Sequence, residues 1–332
     1  MEPQPRIDPA QAQAVAHKFT ALRSHIQNTI IGQPALIERL LVSVLADGHV
    51  LLEGLPGLAK TTAVHCLANG MALSFQRIQF TPDLIPGDIT GAEIFLTREG
   101  EFKFIEGPIF HQIVLADEIN RAPPKVQSAL LEAMQERQVT VAGATRPLPS
   151  IFQVIATQNP LEHAGTYPLP EAQLDRFLMK LHLDYPGPDD ELEILRRDQQ
   201  QSLNPLSDPA TAPVNGADIE TARQVVNRIY MDDMLQRYIV TLIGATRSPQ
   251  PWWPEAGDWL SHGASPRATL ALARAARALA LLRQRDFVEP ADIMDIAKDV
   301  LNHRLGLSFS ARAEGITTAQ FIDGLLERVP VP

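Results

Sequence analysis

Apolar positions along the first half of the chain follow two periods, which predict helices and strands in turn. Residues 8–28 place Val15, Phe19, Leu22 and Ile26 at spacings of three and four, which indicates an amphipathic helix. Further predicted helices are Pro34–Asp47, Lys60–Asn69 and Lys125–Arg137. Short apolar runs predict the buried strands His49–Glu53, Ser74–Phe80, Ile113–Asp117, Ile151–Gln158 and Met179–Tyr185. This alternation predicts an α/β fold, with a parallel sheet covered by helices on both faces.

Two shorter pairs of segments predict hairpins inserted into this α/β plan. The first pair is Ala92–Leu96 and Glu101–Ile105, and the second is Gln138–Ala142 and Thr145–Leu148. The residue pattern alone fits ordinary surface decoration as well as it fits a functional insertion.

The chain changes character at Tyr185-Pro-Gly-Pro-Asp-Asp190, a run in which no regular element can persist. We therefore predict a domain boundary between an α/β domain at 1–185 and a helical lid domain at 186–332. The helices predicted in the second part are Glu191–Gln200, Ile219–Asn227, Asp232–Arg247, Arg267–Arg283 and Pro290–Arg304.

All the tryptophans of the chain, Trp252, Trp253 and Trp259, fall in the predicted loop 248–265. They either pack within the lid or form a surface on which a partner docks.

Composition narrows the function classes. The net charge of −10 argues against a general grip on nucleic acid, which requires clustered Lys and Arg. The single cysteine, Cys66, excludes an intrachain disulfide and fits a reducing compartment. Residues 1–6 lack the apolar core of a signal peptide, and the sequence has no charge-free apolar run of about 18 residues. We therefore expect a cytoplasmic protein without a transmembrane span.

The strongest motif is Gly54-Leu-Pro-Gly-Leu-Ala-Lys60-Thr61, which follows a predicted strand and opens a predicted helix. Backbone amides of such a turn, with the positive end of the helix, surround the β-phosphate of a nucleotide. Lys60 is expected to reach the β- and γ-phosphates, and the Thr61 hydroxyl to bind Mg²⁺. Ala59 stands where this motif usually has a glycine, and we expect the loop to tolerate its methyl group. The predicted nucleotide-binding residues here are Gly54, Leu55, Pro56, Gly57, Leu58, Ala59, Lys60, Thr61 and Thr62.

Two other predicted strands end in polar residues. The strand at 113–117 ends in the carboxylates Asp117 and Glu118. Asp117 is predicted to hold Mg²⁺ through its water shell, and Glu118 to orient and deprotonate the attacking water. Asn159, after the strand at 151–158, either positions that water near the γ-phosphate or forms a turn before Pro160. Solvated acids at a strand end are the alternative for the two carboxylates.

The order of these motifs resembles the AAA+ superfamily of ATPases and, within it, the MoxR family. The resemblance covers nearly the whole chain, and it rests on the shared order of short motifs more than on any one of them. These motifs are Ile31-Gly32-Gln33, Gly54–Thr61, Ile78-Gln79-Phe80-Thr81-Pro82-Asp83-Leu84, Asp117-Glu118-Ile-Asn-Arg121-Ala, Ala156-Thr-Gln-Asn159-Pro, Leu174-Asp175-Arg176-Phe177 and Ser265-Pro266-Arg267-Ala268. The two predicted hairpins fall where this branch carries its helix-2 insert and pre-sensor hairpin, which favours a functional role for them.

The resemblance also assigns roles to residues outside the phosphate loop. Arg176 looks like the arginine finger that one subunit supplies to its neighbour's ATP. Arg267 looks like the sensor of the lid, which a bound γ-phosphate would pull onto the sheet domain. Arg121 is a second candidate for an interface. Ile31 and Gly32 would contact the adenine.

An arginine finger implies a ring, and the family implies a homo-hexamer. The resemblance further implies an Mg-dependent ATPase that acts as a chaperone or activator of a protein client, with a partner that bears a von Willebrand factor A domain. Two readings of other classes stay open from the residues alone, namely a nucleic-acid-translocating motor and a non-hydrolysing nucleotide-binding scaffold. A Rubisco-activating or chelatase-type motor is a nearer variant of the favoured class. The sequence does not identify the client.

Overall fold

Five parallel strands form the central sheet of the computed structural model, which describes residues 9–55, 57–98, 100–159, 165–203 and 213–332. Within these ranges the strands are β1 Val50–Gly54, β2 Phe75–Gln79, β3 Gly91–Leu96, β4 Glu101–Glu106, β5 Ile113–Asp117, β6 Gln138–Val141, β7 Ala144–Pro147, β8 Gln153–Gln158, β9 Met179–Leu183, β10 Leu260–His262 and β11 Gly306–Leu307. The order in the central sheet is β2-β5-β8-β1-β9, and all pairs in it are parallel. The predicted α/β fold is confirmed.

The helices account for most of the remaining described residues. Those that precede the end of the sheet are α1 Pro9–Gln27, α2 Pro34–Leu45, α3 Lys60–Gly70, α4 Pro86–Thr90, α5 Pro124–Glu136 and α6 Glu171–Leu174. Those that follow it are α7 Pro188–Leu203, α8 Gly216–Arg228, α9 Asp233–Ala245, α10 Pro266–Leu282, α11 Pro290–Leu301, α12 Phe309–Ala313 and α13 Thr318–Arg328. Every helix and strand predicted above is present, with ends that differ by a few residues.

The three inner strands of the sheet, β5, β8 and β1, are buried on both faces, as their largely apolar sequences require. Side chains alternate between two cores because successive residues of a strand point to opposite faces. In β1, Val50 and Leu52 pack into one core and Leu51 into the other. The first core lies under α1, α2 and α3, and the second lies under α5.

The first core is continuous with the packing of the lid. Apolar side chains of α8, α9, α10, α11 and α13 belong to the same cluster as those of α1 and α2. Helix α10 contacts α1 and α2 directly. The lid thus packs against the amino-terminal helices. The boundary predicted at 185/186 remains a prediction, although the chain does leave the sheet at Leu183.

The lid contains elements that the sequence analysis did not assign. Helix α13 is one, although Thr317 and Gln320 form a capping box at its start. Helix α12 is another. The strands β10 and β11 pair as a short antiparallel ribbon, so the predicted helical lid also carries one small two-stranded sheet. The composition of residues 202–216, rich in Pro, Ser and Asn, predicts a loop there; most of it, residues 204–212, lies outside the described residues. No helix within the described ranges is both long and apolar enough to cross a membrane.

The tryptophans pack within the lid. The Trp253 ring lies edge-on to Trp259, with centroids 4.8 Å apart, and is stacked on Phe321 at 6.0 Å. The guanidinium carbon of Arg328 lies 4.1 Å from the Trp253 ring centroid. Gly324 completes this cage, because a Cβ added there would lie 2.1 Å from the Trp253 ring.

We predict that Gly324→Ala destabilises the protein by about 1–3 kcal/mol, because the caged Trp253 ring cannot move aside without disturbing its neighbours. Gly244→Ala in α9 is the matched control, since it also replaces a helical glycine but would meet nothing within 4 Å. That control should be neutral or stabilising by up to about 1 kcal/mol, since alanine favours a helix. Urea unfolding of the two variants checks this. Equal stability of the two would contradict the packing described.

Candidate active site

The phosphate-loop sequence sits at the carboxyl end of β1. The loop leaves the sheet at Gly54, where glycine is needed because a Cβ would lie 2.9 Å from the Leu183 carbonyl oxygen of β9. The chain then turns into α3 at Lys60. Lys60 Nζ donates to the Gly54 carbonyl oxygen at 2.6 Å, so the lysine folds over the loop whose phosphates it is predicted to contact.

The conformation of the loop explains why position 59 usually holds glycine. Ala59 caps α3 with φ 53° and ψ 22°, in the left-handed region, and Gly57 has φ 86°. A left-handed conformation costs an alanine roughly 1–2 kcal/mol. The loop therefore keeps its shape with Ala59 at that cost.

The other predicted loop residues surround this turn. Leu58 is buried, and Leu55 packs against the first core, so both anchor the loop from below. Thr61 and Thr62 are exposed on the first turn of α3, where backbone amides and the positive helix end are available to an anion. Pro56, also predicted to bind nucleotide, lies outside the described residues.

The predicted adenine contacts lie beside β9, the neighbour of β1. Gly32 has φ 73°, and its α-carbon faces the side chains of Pro186 and Asp190 at a separation that leaves little room for a Cβ. Ile31 is half-buried next to it. Gln33 Nε2 donates to the Asp184 carbonyl oxygen at 3.1 Å. The segment after β9 is thereby held against the Ile31-Gly32 turn.

Asp117 is the last residue of β5 and Glu118 follows it, beside the directly paired strand β8. Thr157 of β8 contacts both residues. Its hydroxyl donates to Asp117 Oδ1 at 2.6 Å and accepts from the Glu118 backbone N–H at 2.8 Å. Glu118 has φ 58° and ψ 49°, a left-handed conformation that is strained for a non-glycine residue and typical of functional sites. The buried Thr157 hydroxyl thus fixes the backbone turn at which the two carboxylates diverge.

The edge strand β2 supplies partners that the sequence analysis did not identify. Arg77 donates to Asp117 Oδ2 from Nε at 3.0 Å and from Nη2 at 2.7 Å. Gln79 accepts from Arg77 at 2.6 Å and donates to Glu118 Oε2 at 2.8 Å. Arg121 donates to the same Glu118 oxygen at 3.1 Å. The alternation of polar Arg77 and Gln79 on a strand beside β5 was the signal that could have found them.

Asn159 follows β8 directly and is half-buried, at the carboxyl edge that also carries the phosphate loop and Glu118. The strand order places β8 between β1 and β5. A side chain at the end of β8 therefore lies between the two other motifs.

The positive charge of Lys60 and the negative charges of Asp117 and Glu118 interact at this carboxyl edge. Desolvation by burial lowers the pKa of Lys60, while the carboxylates of Asp117 and Glu118 act in the opposite direction. The two acids are thus close enough to the lysine to stabilise its charge. Bound phosphates would take over that role.

Arg176 and Arg267 lie at the opposite end of the sheet. Arg176 precedes β9, whose first residue pairs with Val50 at the start of β1. About 13 Å of strand separates Val50 from Gly54, at roughly 3.3 Å per residue. Arg267 Nη1 lies 4.0 Å from Asp175 Oδ2, so the lid arginine is beside Arg176, away from the phosphate loop of its own chain.

These arginines line a cleft of about 360 Å³. Arg176 Nη1 donates to the Leu131 carbonyl oxygen at 2.7 Å, while its buried Nε has no hydrogen-bond partner among the described residues. The Arg267 side chain is half exposed. The five arginines of the cleft wall outnumber its two aspartates, so it suits an anion; these residues are Arg137, Arg176, Arg267, Arg274, Arg304, Asp47 and Asp175.

The carboxyl edge fits a nucleotide with a divalent cation. The loop at 54–60 offers backbone amides and a lysine to phosphates, and Thr61 and Asp117 offer the oxygen ligands that Mg²⁺ prefers. Arg77 now neutralises Asp117, which shows that this carboxylate accepts a cation at close range. The residues present therefore fit the predicted group.

Comparison with known proteins identifies related domains. Residues 49–179 match the family model described as ATPase family associated with various cellular activities (AAA). Residues 257–325 match the model described as AAA lid domain. The first match covers the phosphate loop and the sheet from β1 to the first residue of β9, and the second covers α10, α11, α12 and most of α13 in the lid.

Individual relatives match over nearly the whole chain. Chaperone MoxR1 of Mycobacterium tuberculosis is 45% identical over 320 residues, which cover 96% of this chain and 84% of that protein. The uncharacterized protein YeaC of Bacillus subtilis is 44% identical over 308 residues, with 93% of each chain covered. The crystal structure of a putative ATPase from Cytophaga hutchinsonii superimposes with a TM-score of 0.91 at 44% identity, over 97% of both chains.

We predict that Thr157→Val destabilises the protein by about 1–3 kcal/mol, since it leaves the Glu118 N–H and one Asp117 oxygen without their partner. ATP hydrolysis should fall with it, because both carboxylates lose their orientation. Thr140→Val is the matched control; its hydroxyl lies 3.0 Å from that of Thr145 on an exposed hairpin. Urea unfolding and steady-state hydrolysis measure both effects. A fully active Thr157→Val would contradict the role given to this hydroxyl.

Proposed function

Since this chain belongs to the MoxR family of AAA+ ATPases, we propose that it hydrolyses Mg·ATP at sites shared between neighbouring copies in a homo-hexameric ring, and thereby remodels a protein client. The observation that carries the proposal is the separation of the two halves of the site. The phosphate loop, Asp117 and Glu118 lie at the carboxyl ends of the strands, and Arg176 and Arg267 lie beyond their amino ends.

On the carboxyl side, Lys60 and the loop amides hold the phosphates in place. Thr61 and Asp117 would hold Mg²⁺, which neutralises charge on the β- and γ-phosphates when bound. Asp117 must then exchange the Arg77 guanidinium for the ion or its water shell. Ile31 and Gly32 contact the adenine through backbone and apolar surface.

Glu118 acts as the general base for the attacking water, and Asn159 orients that water. In the structure, Glu118 is held by Gln79 and Arg121. Both donors bind the same carboxylate oxygen, Oε2, and so occupy a position from which Glu118 would contact the attacking water. We propose that Glu118 leaves these donors when the site is loaded.

On the amino side, Arg176 and Arg267 serve the ATP of the neighbouring subunit. Both arginines line the cleft between the sheet and the lid, and neither faces the phosphate loop of its own chain. An arginine supplied in trans is worth roughly 10³–10⁵ in rate. The proposal moves Arg267 from the lid-closing role expected from the sequence to the interface that Arg176 serves.

The hairpins are proposed to contact the client. Phe95 and Phe102 form a cross-strand pair on β3 and β4, with ring centroids 5.1 Å apart, and their side chains are exposed by 50% and 70%. Exposed aromatic clusters are a feature of binding surfaces. The name of MoxR1, a chaperone, supports a client that is a protein. A partner with a von Willebrand factor A domain is proposed from the family resemblance, and a cytoplasmic setting from the free Cys66.

Contacts between the two hairpins support joint movement. The guanidinium carbon of Arg146, on β7, lies 3.9 Å from the centroid of the Phe104 ring on β4. Arg146 Nη2 is 3.7 Å from Glu93 Oε1 on β3. Displacement of β6 and β7 would therefore carry the aromatic pair with it.

Hydrolysis should depend on contact between subunits. Specific activity of the wild type is expected to rise with protein concentration, because a lone subunit has no neighbour to supply arginines to its ATP. Arg176→Ala and Glu118→Gln should each lose at least about 10²-fold in rate. An equimolar mixture should recover turnover at about one quarter of its interfaces, where an intact Glu118 meets an intact Arg176. Steady-state phosphate release measures the activity of the wild type, of each variant and of the mixture. Concentration-independent activity, with no recovery on mixing, would show that one chain holds a complete site.

Arg146→Ala should loosen the β3–β4 hairpin without changing basal hydrolysis. A cation–π contact at an exposed site is worth about 0.5–1 kcal/mol, so amide hydrogens of β3 and β4 should exchange about two to five times faster. Hydrogen exchange read by mass spectrometry is the measurement. Lys103→Ala is the control, because Lys103 pairs with Ile94 on the other face of the hairpin. Unchanged exchange in Arg146→Ala would mean that the hairpins are not coupled through this side chain.

A further inference from the structure

A buried ion pair joins the lid to the residue that precedes Arg176. The Arg304 side chain is only 2% exposed, and its Nε donates to Asp175 Oδ1 at 2.8 Å. Arg304 follows α11, in the lid, while Asp175 follows α6, just before β9. The guanidinium of Arg304 therefore binds groups inside the protein, whereas the Arg267 side chain is half exposed.

Arg304 also holds the backbone on both sides of Arg176. Nη2 donates to the Asp175 carbonyl oxygen at 3.3 Å and to the Phe177 carbonyl oxygen at 2.5 Å. Nη1 donates to the Leu178 carbonyl oxygen at 3.1 Å. These contacts fix the short segment from which the Arg176 side chain projects.

The other carboxylate oxygen of Asp175 reaches the start of α10. Ser265 caps this helix; its Oγ accepts from the Arg267 N–H at 3.1 Å and donates to Asp175 Oδ2 at 2.8 Å. Arg267 Nη1 is 4.0 Å from the same oxygen. The Asp175 carboxylate therefore contacts both Arg304, which holds the backbone around Arg176, and Ser265, which caps the helix that carries Arg267.

We propose that Asp175 and Arg304 are positioning residues, which hold Arg176 and Arg267 at a fixed mutual distance so that both reach the neighbouring subunit's nucleotide together. The inference rests on the function proposed above. It adds that the lid and the sheet form one rigid arginine-bearing face. Asp175 does not touch nucleotide; it acts through the two arginines.

This assignment predicts a defect confined to the arginine-bearing face. Asp175→Asn keeps the shape of the side chain but removes the charge that pairs with Arg304. Misplacing catalytic groups by about 1 Å costs about 10²-fold in rate, so we expect a loss in kcat near that size. The affinity of the variant for a fluorescent ADP analogue should stay within about twofold of wild type, because the phosphate loop is at the other end of the sheet.

Subunit mixing separates positioning from general damage. Asp175→Asn mixed with Glu118→Gln should recover turnover, because the first supplies an intact carboxyl-side site and the second supplies intact arginines. Asp175→Asn mixed with Arg176→Ala should recover none, because both lack a working arginine face. Recovery with Arg176→Ala would overturn the inference. So would the absence of recovery with Glu118→Gln, because the carboxyl-side site would then be damaged as well.

Two other variants keep the test decisive. Ser265→Ala leaves the Asp175–Arg304 pair in place and removes both the N-cap of α10 and its link to Asp175; it should lose less activity and show the same mixing pattern. Glu171→Gln is the matched control, since this exposed carboxylate also faces the lid, 3.4 Å from His262 Nε2, but touches neither arginine. It should match wild type. If Arg176→Ala and Glu118→Gln fail to restore each other, the shared site itself is wrong, and that result is distinct from failure of Asp175→Asn alone.

Discussion

The common direction of the five strands is the constraint on which the rest of the structure depends. Because β1, β5 and β8 are parallel, the turn that follows each of them emerges at one edge of the sheet, where the phosphate loop, the two carboxylates and Asn159 meet. The same rule sends every residue that precedes a strand to the other edge. Arg176 precedes β9 and so cannot share an edge with Lys60. The shared site proposed here follows from chain direction before any side chain is considered.

Electrostatics at the carboxyl edge depends on exchangeable partners. Asp117 is paired with Arg77, Glu118 with Gln79 and Arg121, and Lys60 with a loop carbonyl. Each of these groups is one that the proposed chemistry needs, and each is satisfied within the chain. Buried or half-buried charges without partners would be costly, so the protein holds the site with internal substitutes. Loading of the nucleotide is then an exchange of partners, with a smaller free-energy change than creation of new charge pairs.

Most of the fold could be predicted because the patterns that define its helices, strands and motifs lie within short stretches of sequence. Strand periodicity, the phosphate loop at Gly54 and the acids at the end of β5 each depend on a few consecutive residues. The sequence could not predict which side chains of neighbouring strands, or of the lid and the sheet, come into contact. Thr157 reaches Glu118 only because β8 pairs with β5, and Arg304 reaches Asp175 only because the lid folds back over 129 residues. The pairing of β10 with β11 also joins distant residues and was not predicted. The capping box of α13, by contrast, is a local pattern that could have predicted that helix.

The packing of the lid decides how a subunit can move. Helix α10 is buried against α1 and α2 in one continuous core, and the buried Arg304 ties the lid to Asp175. Swinging the lid over the phosphate loop of its own chain would break that ion pair and expose apolar surface of the core. It would also remove the hydrogen bonds that Arg304 donates to the backbone on either side of Arg176. Rotation of whole subunits about the proposed interfaces avoids both costs, because the Asp175–Arg304 pair and the lid core each stay within one subunit. In the proposed ring, a rigid subunit with its arginines fixed on one face would turn as a unit when its neighbour's nucleotide changes, and its hairpins would turn with it.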